Sequence, residues 1–60
     1  MILTKEQRQY FQDHPDVDRA CREKANEAAL GKKTQAAQLY AWDYAYREAQ
    51  KTALQEAGLM

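Results

Sequence analysis

Apolar residues recur at helical spacing through most of the chain, and the longest uninterrupted stretch covers residues 34–57. This segment contains no Pro and no Gly, so none of its residues breaks a helix. The pattern predicts one long helix over about residues 34–57. Five residues with a 3-4-3-4 spacing share one narrow stripe of this helix, which we expect to be the core or a dimer seam: Leu39, Trp42, Tyr46, Ala49 and Ala53.

The character of this stripe changes along its length. Bulky side chains fill its first half and alanines its second half, and the next position in the pattern is Glu56. About two heptads are too few for a coiled coil, which needs three or four. Since alanines let a neighbouring helix approach closely, we expect the second half of the stripe to pack against a helix backbone.

A second face of the same helix carries Tyr40, Tyr44, Arg47 and Lys51, with Asp43 beside them. Residues four apart are neighbours on a helix surface. Tyr and Arg are enriched at the centres of protein interfaces, so this composition indicates a partner-binding face. The alternative is that both tyrosine rings pack on the N-terminal helices and keep only their hydroxyls in water.

Two shorter helices are predicted before the long one. Thr4 begins a T-K-E-Q capping box, so a helix is expected over about residues 5–12. Pro15 suits the first position of a second helix, over about residues 15–30, with Asp13 or His14 as its cap. Its polar side is expected to be solvated, and Cys21 on its apolar side is expected to be buried.

The connection between the second and third helices is short, because Gly31 ends the second helix and Thr34 can cap the third. Short connections join antiparallel neighbours. The expected fold is therefore all-α, with a short N-terminal helix followed by an antiparallel helical hairpin. Residues 1–60 are expected to form a single helical domain.

The small size of the chain favours a homodimer. A 60-residue domain buries only about 60% of its unfolded surface, so it needs a stabilising device. One Cys excludes an intramolecular disulfide, and no Cys/His cluster offers a metal site. The chain is therefore expected to be stabilised by packing of helices, both within one chain and between the two chains of a dimer.

Charge and hydropathy restrict the location and the partners. Nine basic and nine acidic side chains balance, whereas nucleic-acid binders commonly have a basic excess. No apolar run reaches the length of a membrane span, and the N-terminus lacks the features of a signal peptide. With a single unpaired Cys, these observations predict a cytoplasmic protein. The initial Met and the lack of a tag lead us to expect a complete small reading frame.

No constellation of residues indicates catalysis. The chain has one His, one Cys and two isolated glycines, so neither a nucleophile with its base nor a phosphate-binding loop is present. Asp13, His14, Asp16 and Asp18 are close in sequence, but turn and cap chemistry accounts for them. We expect no enzyme activity, no cofactor and no metal.

The function that the sequence favours is binding to another protein. We expect a small adaptor, regulator or inhibitor that covers a functional surface of its partner, as phage and mobile-element accessory proteins commonly do. Tyr40, Tyr44, Arg47 and Lys51 are the expected contacts. The alternative is a dimeric, nucleic-acid-binding regulatory hairpin, in which the same Lys, Arg and Tyr side chains contact phosphates and stack on bases.

Overall fold

The computed structural model describes residues 2–60 and contains three α-helices. They are α1 (Lys5–Asp13), α2 (Pro15–Leu30) and α3 (Gln35–Glu56). The described residues therefore confirm the all-α class, and each predicted helix end lies within one residue of the observed end. Met1, the first residue of the expected domain, lies outside the described residues.

Local side-chain chemistry sets the helix ends, as the sequence predicts. The Gln7 backbone N–H donates to Thr4 Oγ1 at 3.2 Å, and the Thr4 N–H donates to Gln7 Oε1 at 2.9 Å, which completes the capping box. The Ala37 N–H donates to Thr34 Oγ1 at the start of α3. After α3, Gly58 adopts a φ of 77°, a left-handed conformation that favours glycine.

His14 separates the first two helices and is the N-cap of α2, although its side chain accepts no capping hydrogen bond. The imidazole stacks on the Tyr10 ring with the ring centroids 4.4 Å apart. Its Nδ1 lies 2.9 Å from the Tyr10 carbonyl oxygen. Pro15 occupies the first turn of α2, where its missing N–H removes no helical hydrogen bond.

Helices α2 and α3 form the predicted antiparallel hairpin. Trp42 Nε1 donates to Asn26 Oδ1 at 2.8 Å, and one turn further along α3 the Tyr46 hydroxyl donates to Asp18 Oδ1 at 2.6 Å. Residue numbers rise along α3 as their partners' numbers fall along α2, so the two helices run in opposite directions. The Trp42 and Tyr46 rings also lie 4.8 Å apart.

Helix α1 packs against only one end of this hairpin, and the core lies there. Phe11, Cys21 and Leu54 form the buried cluster. The Gln7 Nε2 group donates to the Leu59 carbonyl oxygen at 3.0 Å, which holds the segment after α3 against α1. Phe11 docks α1 onto the core, and Cys21 is buried as predicted.

The hairpin therefore has two unlike halves. We call residues 2–25 and 46–60 the three-helix half, and residues 26–45 the two-helix half. Among the described residues, every buried side chain belongs to the three-helix half: Gln7, Phe11, Cys21, Ala25, Gln50 and Leu54. Within residues 2–60, no helix is both long and apolar enough to cross a lipid bilayer.

Candidate protein-docking surface

The two-helix half exposes two large aromatic side chains of α3. Tyr40 is 77% exposed and Tyr44 is 62% exposed, although α3 packs on α2. The alternative that these two rings pack on the N-terminal helices is therefore wrong. Both rings face solvent and are free to contact another molecule.

The aromatic residues that face inward explain this exposure. Trp42 and Tyr46 lie one turn apart and are held against α2 by their hydrogen bonds to Asn26 and Asp18. At about 100° per residue, Tyr44 points about 160° away from both of them on the helix circumference. Fixing Trp42 and Tyr46 on α2 therefore turns Tyr44 outward.

The two exposed tyrosines border an apolar groove between α2 and α3. Its first stretch has a volume of about 570 Å³ and lies at the end of the hairpin nearest the α2–α3 turn. Alanines form the floor of the groove. Three of them, Ala37, Ala41 and Ala45, have an i,i+4 spacing, so one side of α3 carries only small side chains there. The lining residues are Ala28, Lys32, Ala37, Tyr40, Ala41, Tyr44 and Ala45.

The groove continues along the hairpin towards the three-helix half. A second stretch shares Ala28, Tyr44 and Ala45 with the first and adds Lys24 and Glu48. A third stretch shares Lys24, Ala49 and Thr52 with the second, and its other lining residues are Asp16, Val17, Ala20, Cys21, Ala53 and Glu56. The same face of the hairpin is therefore concave from the α2–α3 turn to the start of α2.

Charges are distributed unevenly along this groove. Lys32 is the charged residue of the first stretch, whereas Asp16 and Glu56 lie at the far end. Lys24 and Glu48 lie in the middle stretch and balance each other. The groove thus has a basic end near the turn and an acidic end near the start of α2.

Arg47 and Lys51, which the sequence groups with the two tyrosines, lie outside the groove lining. The Arg47 side chain is 53% exposed and forms an i,i+4 salt bridge with Asp43, in which Nε lies 3.2 Å from Oδ2. Lys51 is also exposed. These two cations form an outer edge beside the tyrosines, where they can reach a partner that covers the groove.

The structure divides the predicted core or dimer seam. Leu39 is 65% exposed, whereas the other members are half-buried: Trp42, Tyr46, Ala49 and Ala53. Tyr46, Ala49 and Ala53 pack against the buried cluster of the chain itself. Leu39 is thus the member of the stripe with the largest exposed apolar side chain, and Leu30 on α2 is 81% exposed.

Sequence reasoning missed the alanine groove and the exposure of Leu30. The signal for the groove is the i,i+4 repeat of Ala37, Ala41 and Ala45, which marks a low stripe beside Tyr40 and Tyr44. Leu30 has no such signal, because an apolar residue in the last turn of a helix is as compatible with burial as with exposure.

Polar groups near the core are engaged with one another. Asp18 accepts from the Tyr46 hydroxyl and from Arg22 Nε at 2.9 Å. Burial, followed by the hydrogen bond to Asp18, raises the pKa of Tyr46, and the same carboxylate raises the pKa of Arg22. Burial also raises the pKa of the Cys21 thiol, with a smaller contribution from Asp18, so its reactive thiolate form is disfavoured.

Residues 2–60 contain no group of three or more His, Cys, Asp or Glu side chains arranged to hold a metal ion. The chain matches no protein-family model, and no curated protein or solved structure shows significant similarity to it. The functional interpretation therefore rests on the exposed groove and its charges.

Proposed function

We propose that this chain is a small protein-binding adaptor, regulator or inhibitor, which acts by covering a functional surface of a partner protein. The observation that supports this proposal is the pair Tyr40 and Tyr44, 77% and 62% exposed beside an apolar groove. Contiguous exposed apolar surface with a polar rim is typical of protein interaction sites. Tyrosine supplies large contact area at low cost in side-chain entropy.

The groove has the form that receives a helix or another convex apolar element. Its alanine floor allows close approach, and the rings of Tyr40 and Tyr44 would close over one side of the ligand. Arg47 and Lys51 would meet acidic groups on the partner's rim. Because the chain contributes bulk and no reactive group to this contact, its effect would be steric, and we propose no enzymatic role.

A protein partner fits the groove better than a nucleic acid does. The floor is apolar, and the acidic Asp16 and Glu56 at its far end would repel phosphates. Asp43 also forms a salt bridge with Arg47 and reduces the positive potential beside the tyrosines. Nucleic-acid binding is therefore the competing outcome that the experiment below must separate.

The proposal includes a homodimeric form and a cytoplasmic location. Exposed Leu30, Leu39, Tyr40 and Tyr44 supply apolar surface that a second copy could cover. The buried free thiol of Cys21 suits a reducing compartment. A role as a phage or mobile-element accessory protein would agree with a chain that acts by contact alone.

Site-specific photo-crosslinking tests the proposal. A photoreactive phenylalanine analogue at position 44 would be compared with the same analogue at position 23, an exposed site on α2 that does not line the groove. We expect one protein from the native host lysate to crosslink at position 44 and not at position 23. The product should resist nuclease and weaken when Tyr40→Ala is added.

Three results would contradict this expectation. Nuclease-sensitive products would indicate nucleic acid as the partner. Equal labelling from positions 44 and 23 would indicate non-specific contact. A partner that crosslinks only at position 23 would move the binding surface to the charged side of α2. Circular dichroism would first establish that every variant keeps its helical content.

A further inference from the structure

We propose that the groove between α2 and α3 seats a second copy of this chain, turned end over end about a twofold axis across the hairpin. In such a dimer each copy presents the same surface to the other, so the surface must be complementary to itself. The groove is complementary to itself in charge and in side-chain size, and its area is sufficient for a stable contact.

Charge is the first of these features. Lys32 occupies one end of the groove, Asp16 and Glu56 occupy the other, and the middle stretch holds one Lys and one Glu. A copy turned end over end places its Asp16 and Glu56 over Lys32 of the first copy, and the reverse contact forms at the opposite end. A copy in the same orientation would instead bring like charges together, so the charges favour the antiparallel arrangement.

Side-chain size follows the same division. Tyr40 and Tyr44 raise one side of the groove at the end near the turn, whereas Ala49 and Ala53 leave α3 low at the other end. Turning one copy end over end lays the bulky half of each α3 on the small half of the other. Protein cores achieve close packing through this alternation of large and small residues across facing positions.

The area of the face is also adequate. Helix α3 has 22 residues and α2 has 16, so they are about 33 Å and 24 Å long, and each is about 10 Å wide. The face then covers roughly 570 Å² per copy, or about 1,140 Å² in total, which exceeds the roughly 1,000 Å² expected of a specific interface. A contact limited to Leu30 and Leu39 would cover only a part of this area.

The dimer has a consequence that rests on the proposed function. Tyr40 and Tyr44 cannot contact a second copy and a partner protein at the same time. Self-association would therefore compete with partner binding. Once the dimer predominates, crosslinking of the partner at position 44 would rise only with about the square root of the chain concentration, because only the monomer binds the partner. The dimer itself depends only on the groove, so it is tested with the purified chain alone.

Sedimentation equilibrium on the purified chain, from about 1 µM to 1 mM, tests the dimer. The Tyr40→Ala/Tyr44→Ala variant should have a dimer Kd at least about tenfold higher, since interface tyrosines carry much of the binding energy. Lys32→Glu and Glu56→Lys should each weaken the dimer about fivefold, because each change acts twice in a symmetric contact. The double variant Lys32→Glu/Glu56→Lys should dimerise more tightly than either single variant, although its Kd stays above the original because Asp16 then faces an acidic side chain at position 32.

Matched variants control for net charge. Lys33→Glu repeats the charge change one residue away from Lys32, and Glu23→Lys repeats that of Glu56 on the solvent side of α2; neither position lines the groove. A monomer at every concentration would overturn the proposal. A dimer that is indifferent to the tyrosine variant would overturn it as well. A double variant that dimerises no more tightly than the two single variants would exclude the end-over-end arrangement.

Discussion

The two halves of the hairpin are built from the same two helices, yet only one of them has a core. In the three-helix half, α1 and the segment after α3 cover Cys21 and Leu54. In the two-helix half, α2 and α3 contact only each other, and each retains an exposed leucine, Leu30 on α2 and Leu39 on α3. The difference lies in the number of neighbours and not in the helices themselves.

This comparison shows that residue type does not decide burial in a chain this small. Leu39 and Leu54 lie on the same helix, but Leu39 is 65% exposed and Leu54 is fully buried. Gln7 and Gln38 likewise both donate to a backbone carbonyl, and only Gln7 is buried. A leucine or a glutamine is buried where a third helix covers it. Equivalent substitutions in the two halves should therefore have unequal effects on the free energy of unfolding.

The largest difference is expected between the two leucines. Leu54→Ala should lower the free energy of unfolding by about 2–5 kcal/mol, because it leaves a cavity in the core. Leu39→Ala should change it by less than about 0.5 kcal/mol, since most of that side chain is in water. Urea denaturation followed by circular dichroism at low protein concentration measures both. Equal losses would show that the two-helix half has a core of its own.

A smaller difference is expected between the two glutamines. Gln7→Ala removes the capping-box acceptor and the hydrogen bond to the Leu59 carbonyl, and should cost about 1–2 kcal/mol. Gln38→Ala removes one exposed hydrogen bond, to the Lys32 carbonyl, and should cost less than about 0.5 kcal/mol. Thermal unfolding compares the two. A Gln7→Ala variant as stable as the Gln38→Ala variant would show that the attachment of the C-terminal segment is not stabilising.

The smallest expected effect is a dependence of stability on alkaline pH that originates at Tyr46, in the three-helix half. Burial and the hydrogen bond to Asp18 raise the folded-state pKa of Tyr46, so the folded state keeps its proton at a pH where the unfolded state has lost it. This stabilisation is complete below about pH 10, the ordinary pKa of tyrosine, and is lost as pH rises through the folded-state value. Tyr46→Phe should therefore flatten the decline in stability above about pH 10, which urea denaturation at a series of pH values measures. A decline as steep as that of the unsubstituted chain would contradict the assignment.

Much of the fold was predictable because its signals are local. The residues that start the helices contact only neighbours within one helical turn: Thr4 and Gln7 for α1, Pro15 for α2 and Thr34 for α3. Their positions therefore predict the ends of the three helices to within one residue. The apolar stripe on α3 likewise predicts that Trp42 and Tyr46 share a face, and their ring centroids lie 4.8 Å apart. The exposure of Tyr40 and Tyr44 was one of two stated alternatives, and the sequence could not choose between them.

The core was harder to predict than the helices. The 3-4 stripe on α3 omits Gln50 and Leu54, which are buried because α1 and the C-terminal segment cover a second sector of α3 at that end. A stripe derived from one helix assumes one neighbour, and this end of α3 has two. The stripe also includes Leu39, which lies beyond the reach of α1 and is exposed.

The sequence by itself determined where each helix begins and ends, since caps, Pro15 and Gly58 act over a few residues of backbone. Tertiary structure decided which half acquires a core and which faces of α3 remain open. That outcome depends on where α1, which has nine residues, packs on the hairpin, whose longer helix α3 has 22 residues. This packing joins residues that are far apart in the chain. Because α1 packs on another face of the hairpin, the alanine groove is uncovered along both halves, and its two tyrosines remain exposed.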